Sequence, residues 1–365
     1  MLGHPADALT VTRKTGPSRL TSIRLCAAVP YPAMARRSRK DIMSTLFSSD
    51  PPMDEWLASV DMLRPSGSVF SQVREVYAQT RGYRAIVLDG SGRRDQLAAA
   101  LISRRRPRQT IVIADATWKS EHTQLDRTVN RLGIRAIDSS YVTYCVLSCF
   151  EVESFQRTWG PLNGHVRFVP WPYTLRPVQL AEPALENGRV FAGGNSLRDY
   201  GTLIEIAGAL DAPLDIATSV LTSEEVERLP ANVTAGPVAE AEFDRMLREA
   251  SVVVVPLQAR GDRSSGQTVY VNAMARGKAV VVTDTPGVRD YIEDGVTGLI
   301  VPQRDPGAML SALRGLLHDP QERRRLGRQA RDHTLAHRSL THYARHLLTL
   351  VAEALERDEA RATRC

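Results

Sequence analysis

SVVVVPLQARGDRSSGQTVYVNAMARGKAVVVTDTPGVRDYIEDGVTGLIVP, residues 251–302, reads as strand, long polar loop, helix, strand and turn. Residues 251–257 are a β-branched run, the composition of a strand buried on both faces. Periodicity then stops across residues 258–265, which carry Arg260, Asp262, Arg263, Ser264 and Ser265. Gly266 leads into a helix that starts near Gln267 or Thr268 and is closed by Gly277. Residues 279–283 (AVVVT) form the next buried strand. A helix N-terminus presents unpaired N–H groups and a partial positive charge. Small residues there let a phosphate approach the backbone, and the hydroxyls of Ser264, Ser265 and Thr268 add donors. A surface turn capped by serine and threonine fits the same residues.

Outward from this stretch the alternation continues. Toward the N-terminus, a strand at 190–192 runs into Gly193-Gly194-Asn195-Ser196. Helices follow at 203–210, 223–229 and 240–250, with strands at 214–217 and Val233 between them. Toward the C-terminus, a strand at 299–301 precedes a helical region from Asp305 to about Glu359, broken near Asp319-Pro320. The first half repeats the pattern. Strands are expected at 85–89, 110–115, 144–147 and 166–169, and helices at 94–104, 122–132 and 149–159, the last capped by Ser148. A Pro- and Gly-rich stretch, 170–188, separates the halves. Strands alternating with helices imply parallel pairing, so the fold class is α/β with two Rossmann-like domains whose parallel sheets face a cleft. Ligands of such sheets bind at the carboxyl ends of the strands.

Composition closes off other classes. The chain has 365 residues, 43% hydrophobic and 24% charged, which is globular and suits two domains. No apolar run approaches the ~20 residues of a membrane span. Four cysteines make no disulfide scaffold, and Cys145 and Cys149 lack a second pair at zinc spacing. Free or buried thiols in a reducing cytoplasm are expected, and no metal site. The balance of 47 Lys+Arg against 41 Asp+Glu gives +6, with arginines clustered at 36–40, 104–108 and 323–328. Those clusters read either as solvated surface or as attraction to phosphates, on an anionic membrane or a nucleotide. Aromatic content of 6% and the lack of any recognition-helix, zinc-finger or RNP pattern argue against nucleic acid.

The stretch 251–302 resembles the donor-sugar domain of the retaining glycosyltransferases of family four, which have the GT-B fold. In that family a strand ending in Pro leads to a Gly-rich loop and a helix containing Glu-Ala-Met-Ala-x-Gly-Lys-Pro-Val. A Thr-Asp turn and a Glu-Asp-Gly-x-Thr-Gly stretch follow. This chain has Asn272-Ala273-Met274-Ala275-Arg276-Gly277-Lys278-Ala279-Val280, Thr283-Asp284 and Glu293-Asp294-Gly295-Val296-Thr297-Gly298. The match runs on through Pro302 and Asp305-Pro306, and the N-terminal half resembles the family only weakly.

The resemblance implies a glycosyltransferase that moves a sugar from a nucleotide-diphosphate sugar to an unidentified acceptor, with retention and without a metal or other cofactor. It implies donor contacts at Gly193, Gly194, Arg198, Gly236, Val238, Arg263, Ser265, Gly266, Gln267, Thr268 and Asn272. Two family glutamates, one near the sugar and one on the ribose, fall here on Ser264 and Asn272. One of the family's two phosphate-binding cations is missing at Gly193 or Gly194, with Arg260 or Arg263 as substitute. In many members a His at a strand end faces the sugar. Here Asp115 and Asp89 end strands, and with Ser264 they are the candidate catalytic residues, His122 being a further one.

The expected organisation is a partly disordered leader at 1–50, with Met34, Met43 or Met53 as alternative starts, and an acceptor-side domain at 51–175. A linker at 176–187 and a nucleotide-sugar domain at 188–340 follow. A C-terminal helix at 341–365 packs back on the first domain through Leu340, Tyr343, Leu347, Leu348, Val351 and Leu355. The location implied is cytoplasmic, with peripheral contact to an anionic membrane as one reading of the charge. A rival function is a catalytically weak or inactive homologue that binds a nucleotide sugar or serves as a partner subunit.

Overall fold

The computed structural model describes residues 27–30, 61–62, 68–90, 93–118, 124–259 and 262–362. Two six-stranded sheets carry the fold. The first contains β1 (Ala27–Pro30), β2 (Asp61–Met62), β3 (Tyr83–Leu88), β4 (Thr110–Ile113), β5 (Val142–Val146) and β6 (His165–Phe168), in the order β2-β1-β3-β4-β5-β6. Strands β3 to β6 are parallel, with Ile86 opposite Ile111 and Tyr144 opposite Val166. β1 runs antiparallel to β2 and β3. Residues 27–30, inside the stretch expected as a partly disordered leader, are a strand of the sheet, because the edge of β3 away from β4 offers free backbone groups for a short strand to pair.

β3 to β6 follow one another in space as in sequence. Right-handed crossovers therefore place their linking helices on one face. α1 (Val69–Gln79), α2 (Arg93–Ile102), α3 (Gln124–Ile137) and α4 (Cys149–Trp159) supply Val76, Ile102, Ile134, Ile137, Phe155 and Trp159 to a core with Ile86, Leu88, Ile111 and Ile113. The opposite face is covered from the far end of the chain.

The second sheet follows a connecting segment that holds α5 (Pro177–Ala181). Its elements are β7 (Val190–Gly193), α6 (Tyr200–Ala207), β8 (Leu214–Ala217), α7 (Ser223–Glu227), β9 (Val233–Gly236), α8 (Glu240–Glu249), β10 (Val252–Val255), α9 (Gln267–Ala275), β11 (Ala279–Thr283) and β12 (Leu299–Val301). All its strands are parallel, in the order β12-β11-β10-β7-β8-β9. The winding reverses between β7 and β10, the doubly wound arrangement whose crevice lies at that switch point. α6 starts at Tyr200, three residues before the expected 203, because the Asp199 carboxylate caps the Thr202 N–H.

α10 (Pro306–His318), α11 (Pro320–His337) and α12 (Leu340–Ala362) complete the chain. α12 lays Tyr343, Leu347, Val351 and Leu355 on Ala85, Val87, Val112, Ala114 and Cys145, which closes the open face of the first sheet. The Thr110 hydroxyl donates to Asp358 at 2.6 Å beside that contact. The chain thus passes twice between the two sheets.

Many arginines work inside the fold. Arg104 donates to the carbonyls of Ala100 and Ala136, Arg108 donates to that of Ser103, and Arg105 stacks 4.0 Å from the Tyr77 ring centre. Arg323 is buried against the carbonyls of Leu316 and Leu317 and pairs with Glu186. Buried Lys278 and Arg276 anchor the connecting segment through the carbonyls of Leu185 and Gln179. The cluster at 36–40 lies outside the described residues.

Candidate active site

The loops that leave β7 and β10 are tied together at the switch point. The Asp199 N–H donates to Pro256 O at 3.1 Å and the Gln258 N–H to Leu197 O at 2.9 Å. Leu197 has φ of 51°, a left-handed conformation that a branched side chain rarely adopts and that the surrounding contacts must hold. Within this loop Arg198 turns back on the strand end. It donates to Gly193 O at 2.9 Å, to Ser196 O at 2.6 Å and to Ser265 Oγ at 3.5 Å. Gly194 makes the room: its φ is +103°, and a Cβ there would lie 2.5 Å from Arg198 Nη2. Burial lowers the Arg198 pKa, and the Tyr200 and Tyr270 phenols act against that shift. Among the described residues no carboxylate pairs with Arg198; its partners are two carbonyls and a hydroxyl.

The second loop, 262–268, meets the first at Ser196. Arg263 donates to Ser196 Oγ at 2.9 Å and Ser265 Oγ donates to Ser196 O at 2.9 Å. Gly266 is the N-cap of α9 in a left-handed conformation. Among the described residues the backbone N–H groups of Ser265, Gly266, Gln267 and Thr268 have no acceptor. Ser265 and Gln267 are buried and Thr268 is exposed at the helix start. Three of the four free amides thus belong to buried residues, next to a cation without a counter-charge. That is the local chemistry of an anion site.

The first domain faces this pair of loops with Asp89 and Asp115, each just past its strand. The Asp115 N–H donates to Asp89 O at 2.7 Å. Asp115 Oδ1 accepts from the Thr117 N–H at 3.2 Å and from the Thr117 hydroxyl. Burial pushes the Asp115 carboxyl up, while Thr117 and the positive charge of Arg263 pull it down. The influence of Arg263 on Asp115 joins the two domains electrostatically across the cleft. Asp89 is buried nearby; burial pushes the Tyr343 phenol up, and Cys145, Asp115 and Asp89 add to that shift.

The other sequence candidates take distinct places. Gly236 and Val238 lie at and beyond the end of β9, two strands from β7, or about 10 Å at ordinary strand spacing. The Thr218 N–H donates to Gly236 O and its hydroxyl to Gly194 O, which makes one floor from Gly194 to Gly236. Asn272 pairs with the connecting segment. Its Oδ1 accepts from the Thr174 N–H at 2.8 Å and its Nδ2 donates to Thr174 Oγ1 at 2.9 Å. The amide thus holds the connecting segment at Thr174. Ser264 is buried; its Oγ accepts from Gln267 Nε2 at 2.5 Å. Arg260 and His122 lie outside the described residues.

Sequence reasoning missed Ser196 and Glu151. Ser196 joins the two loops, a role set by tertiary contacts alone. Glu151, in the first turn of α4, accepts from the Leu147 N–H at 2.8 Å, from Ser148 Oγ at 3.2 Å and, across the domain boundary, from the Ser264 N–H at 3.0 Å. Burial pushes its carboxyl up to about 7, against the pull of those donors. A signal was present: Ser148 and Glu151 have the spacing of a capping box. Among the described residues no three His, Cys, Asp or Glu side chains are grouped to hold a metal, and no helix is long and apolar enough to cross a membrane.

Comparison with known proteins bears on the fold and on one stretch of the sequence. Residues 227–333 match the family described as Glycosyl transferases group 1. A D-inositol 3-phosphate glycosyltransferase of Nocardia farcinica is 32% identical over 145 residues, 40% of this chain and 30% of the relative. A phosphatidyl-myo-inositol mannosyltransferase of Mycolicibacterium smegmatis is 40% identical over 88 residues, 24% of this chain and 22% of the relative. The matches thus span less than a third of these relatives' length. The fold is shared more widely. Anabaena Alr3699/HepE, solved with UDP and glucose, superposes with a TM-score of 0.59 at 14% identity over 79% of this chain and 83% of that one. Sucrose-phosphate synthase from Thermosynechococcus elongatus gives 0.54 at 19% identity, over 80% of each chain. The chain therefore has the GT-B fold of glycosyltransferases, and its residues 227–333 carry the group 1 sequence signature.

Proposed function

We propose that this chain transfers a sugar from a nucleotide-diphosphate sugar to an acceptor bound against its first domain, with retention at the anomeric carbon. The observation that carries the reading is the half-buried Arg198, without a carboxylate partner, beside the unpaired amides of residues 265–268 at the sheet's switch point. A diphosphate supplies the missing charge. Arg263, reached through Ser196, is the second cation that the glycines at 193 and 194 do not provide. In the reaction the bond from the anomeric carbon to the diphosphate oxygen breaks and a bond to the acceptor oxygen forms on the same face. The acceptor proton passes to the leaving oxygen. Catalysis is then positioning plus stabilisation of the departing charge by fixed donors. Asp115 orients the sugar or acceptor from the opposite wall. Gly236 and Val238 form the end of the floor where a base lies flat. The donor is the only small molecule the reaction needs, and no cofactor is assigned.

The acceptor follows from the first domain, and the names of the relatives put inositol phosphates first among those to try. An anionic membrane gains no support from residues 104–108, whose arginines 104, 105 and 108 bind protein groups. The inactive-homologue reading has one observation in its favour: Ser264 and Asn272 are both engaged by other protein groups.

Differential scanning of the protein with UDP, GDP, ADP, TDP and their sugars separates the readings. At 100 times its dissociation constant the correct nucleotide adds about 2.7 kcal/mol and raises the midpoint by a few degrees. The rise is expected to shrink in Arg263→Ala. Release of the nucleoside diphosphate on adding an inositol phosphate would mark the enzyme. A protein that binds a nucleotide sugar and never turns it over with any acceptor is the inactive homologue. No shift with any nucleotide contradicts both.

A further inference from the structure

We propose that Glu151 is a positioning residue for the donor: its carboxylate, reaching from the first domain, holds the 262–268 loop so that the α9 amides stay set for a diphosphate. This rests on the functional reading above and adds a residue to it from the other domain. One carboxylate oxygen stays with its own helix entrance, at the Leu147 N–H and Ser148 Oγ, and the other takes the Ser264 N–H. Ser264 immediately precedes the free amides, and its hydroxyl receives Gln267 Nε2 from the first turn of α9. A single buried group therefore fixes the backbone at 264 and, through Ser264, the side chain at 267.

The joint around it is tight and specific. Gly287 has φ of +88°, and a Cβ there would fall 2.6 Å from Ser148 Cβ and 2.8 Å from Ser264 Cβ. The Cys149 N–H donates to Asp290 Oδ2 at 2.8 Å, the Tyr291 hydroxyl to Leu147 O at 2.7 Å, and Ser154 Oγ to Asp262 O at 3.0 Å. The α4 entrance is thus seated on both the 262–264 and the 287–291 segments. The other titratable groups at this joint are Cys149, Asp290, Tyr270, Tyr291 and Arg338. An ionised carboxylate accepts from three donors more strongly than a neutral one does. Donor binding is therefore expected to tighten as pH rises through about 7, the value to which burial brings Glu151.

The test compares the wild type with Glu151→Gln, which keeps size and removes the charge, and with Glu153→Gln, an exposed change on the same helix. Two readouts are taken. Hydrogen exchange without ligand reports on the Ser264 amide, which Glu151 holds, and on those of Val269 and Tyr270, which donate to Gly266 O in the first turn of α9. Titration with UDP-glucose, or the nucleotide sugar identified by the scan, reports affinity at pH 6 and pH 8; its diphosphate does not titrate near 7. We expect Glu151→Gln to exchange several-fold faster at Ser264, Val269 and Tyr270 and to bind about five- to tenfold more weakly at pH 8, the scale of one charge-assisted hydrogen bond. We also expect it to lose the pH dependence of the wild type, while Glu153→Gln matches the wild type throughout. Unchanged exchange, or unchanged affinity and pH profile, in Glu151→Gln overturns the proposal. Faster exchange in Glu151→Gln, with a wild type that binds no nucleotide sugar, supports the clamp and overturns the functional reading instead.

Discussion

A handful of single residues decide whether the cleft works. Gly194 is the clearest. Alanine there would need φ of +103° and would place its methyl against Arg198. Gly194→Ala is expected to lose about 1–3 kcal/mol in urea unfolding and most of the nucleotide-induced shift. Glu151 acts on stability in the opposite sense from its role in positioning. Its pKa rises from 4.5 to about 7 on folding, mainly through burial. Between those values the folded chain holds more protons than the unfolded one, so the stability contribution is full below 4.5 and is lost as pH rises through 7. Folding stability of the wild type is therefore expected to fall across that window by about 2–3 kcal/mol, and the slope to flatten in Glu151→Gln. Urea melts at pH 5 and pH 7.5 check this. A buried charge retained at a cost to stability fits a site role better than a purely structural one.

At the scale of elements, α12 bears the greatest load. It closes a sheet face built from Ala85, Val87, Val112, Ala114 and Cys145, which no crossover helix covers. A chain ending at residue 338 is expected to expose that face, bind a hydrophobic dye and lose its cooperative unfolding; an unchanged melting transition would count against this account. Legibility in the sequence divides along the same line. The unit β10–α9–β11 was readable because every determinant is local: a valine run, Gly266 at the helix start and Gly277 at its end. The apolar face of α12 was readable from its spacing. β1 was not, since four residues of strand carry little pattern and its pairing to β3 crosses more than fifty residues. The start of α6 was set by a cap at Asp199 that reads from sequence as a loop residue.

The whole molecule sets two sheets' carboxyl ends against each other, with the chain crossing between them before α5 and again before α12. Loops 194–199 and 262–268 form one wall of the cleft, and Asp89 and Asp115 the other. That arrangement follows from the alternating pattern, whereas the particular site does not. Glu151 and Ser264 lie 113 residues apart and meet only when the domains dock. Asn272 and Thr174, 98 apart, meet only when the connecting segment packs on α9. The most direct test is a crystal structure of the protein with the nucleoside diphosphate that stabilises it most. The account predicts the diphosphate on the amides of residues 265–268, within hydrogen-bond reach of Arg198 or Arg263. A diphosphate bound anywhere else, with those amides still unpaired, would contradict it.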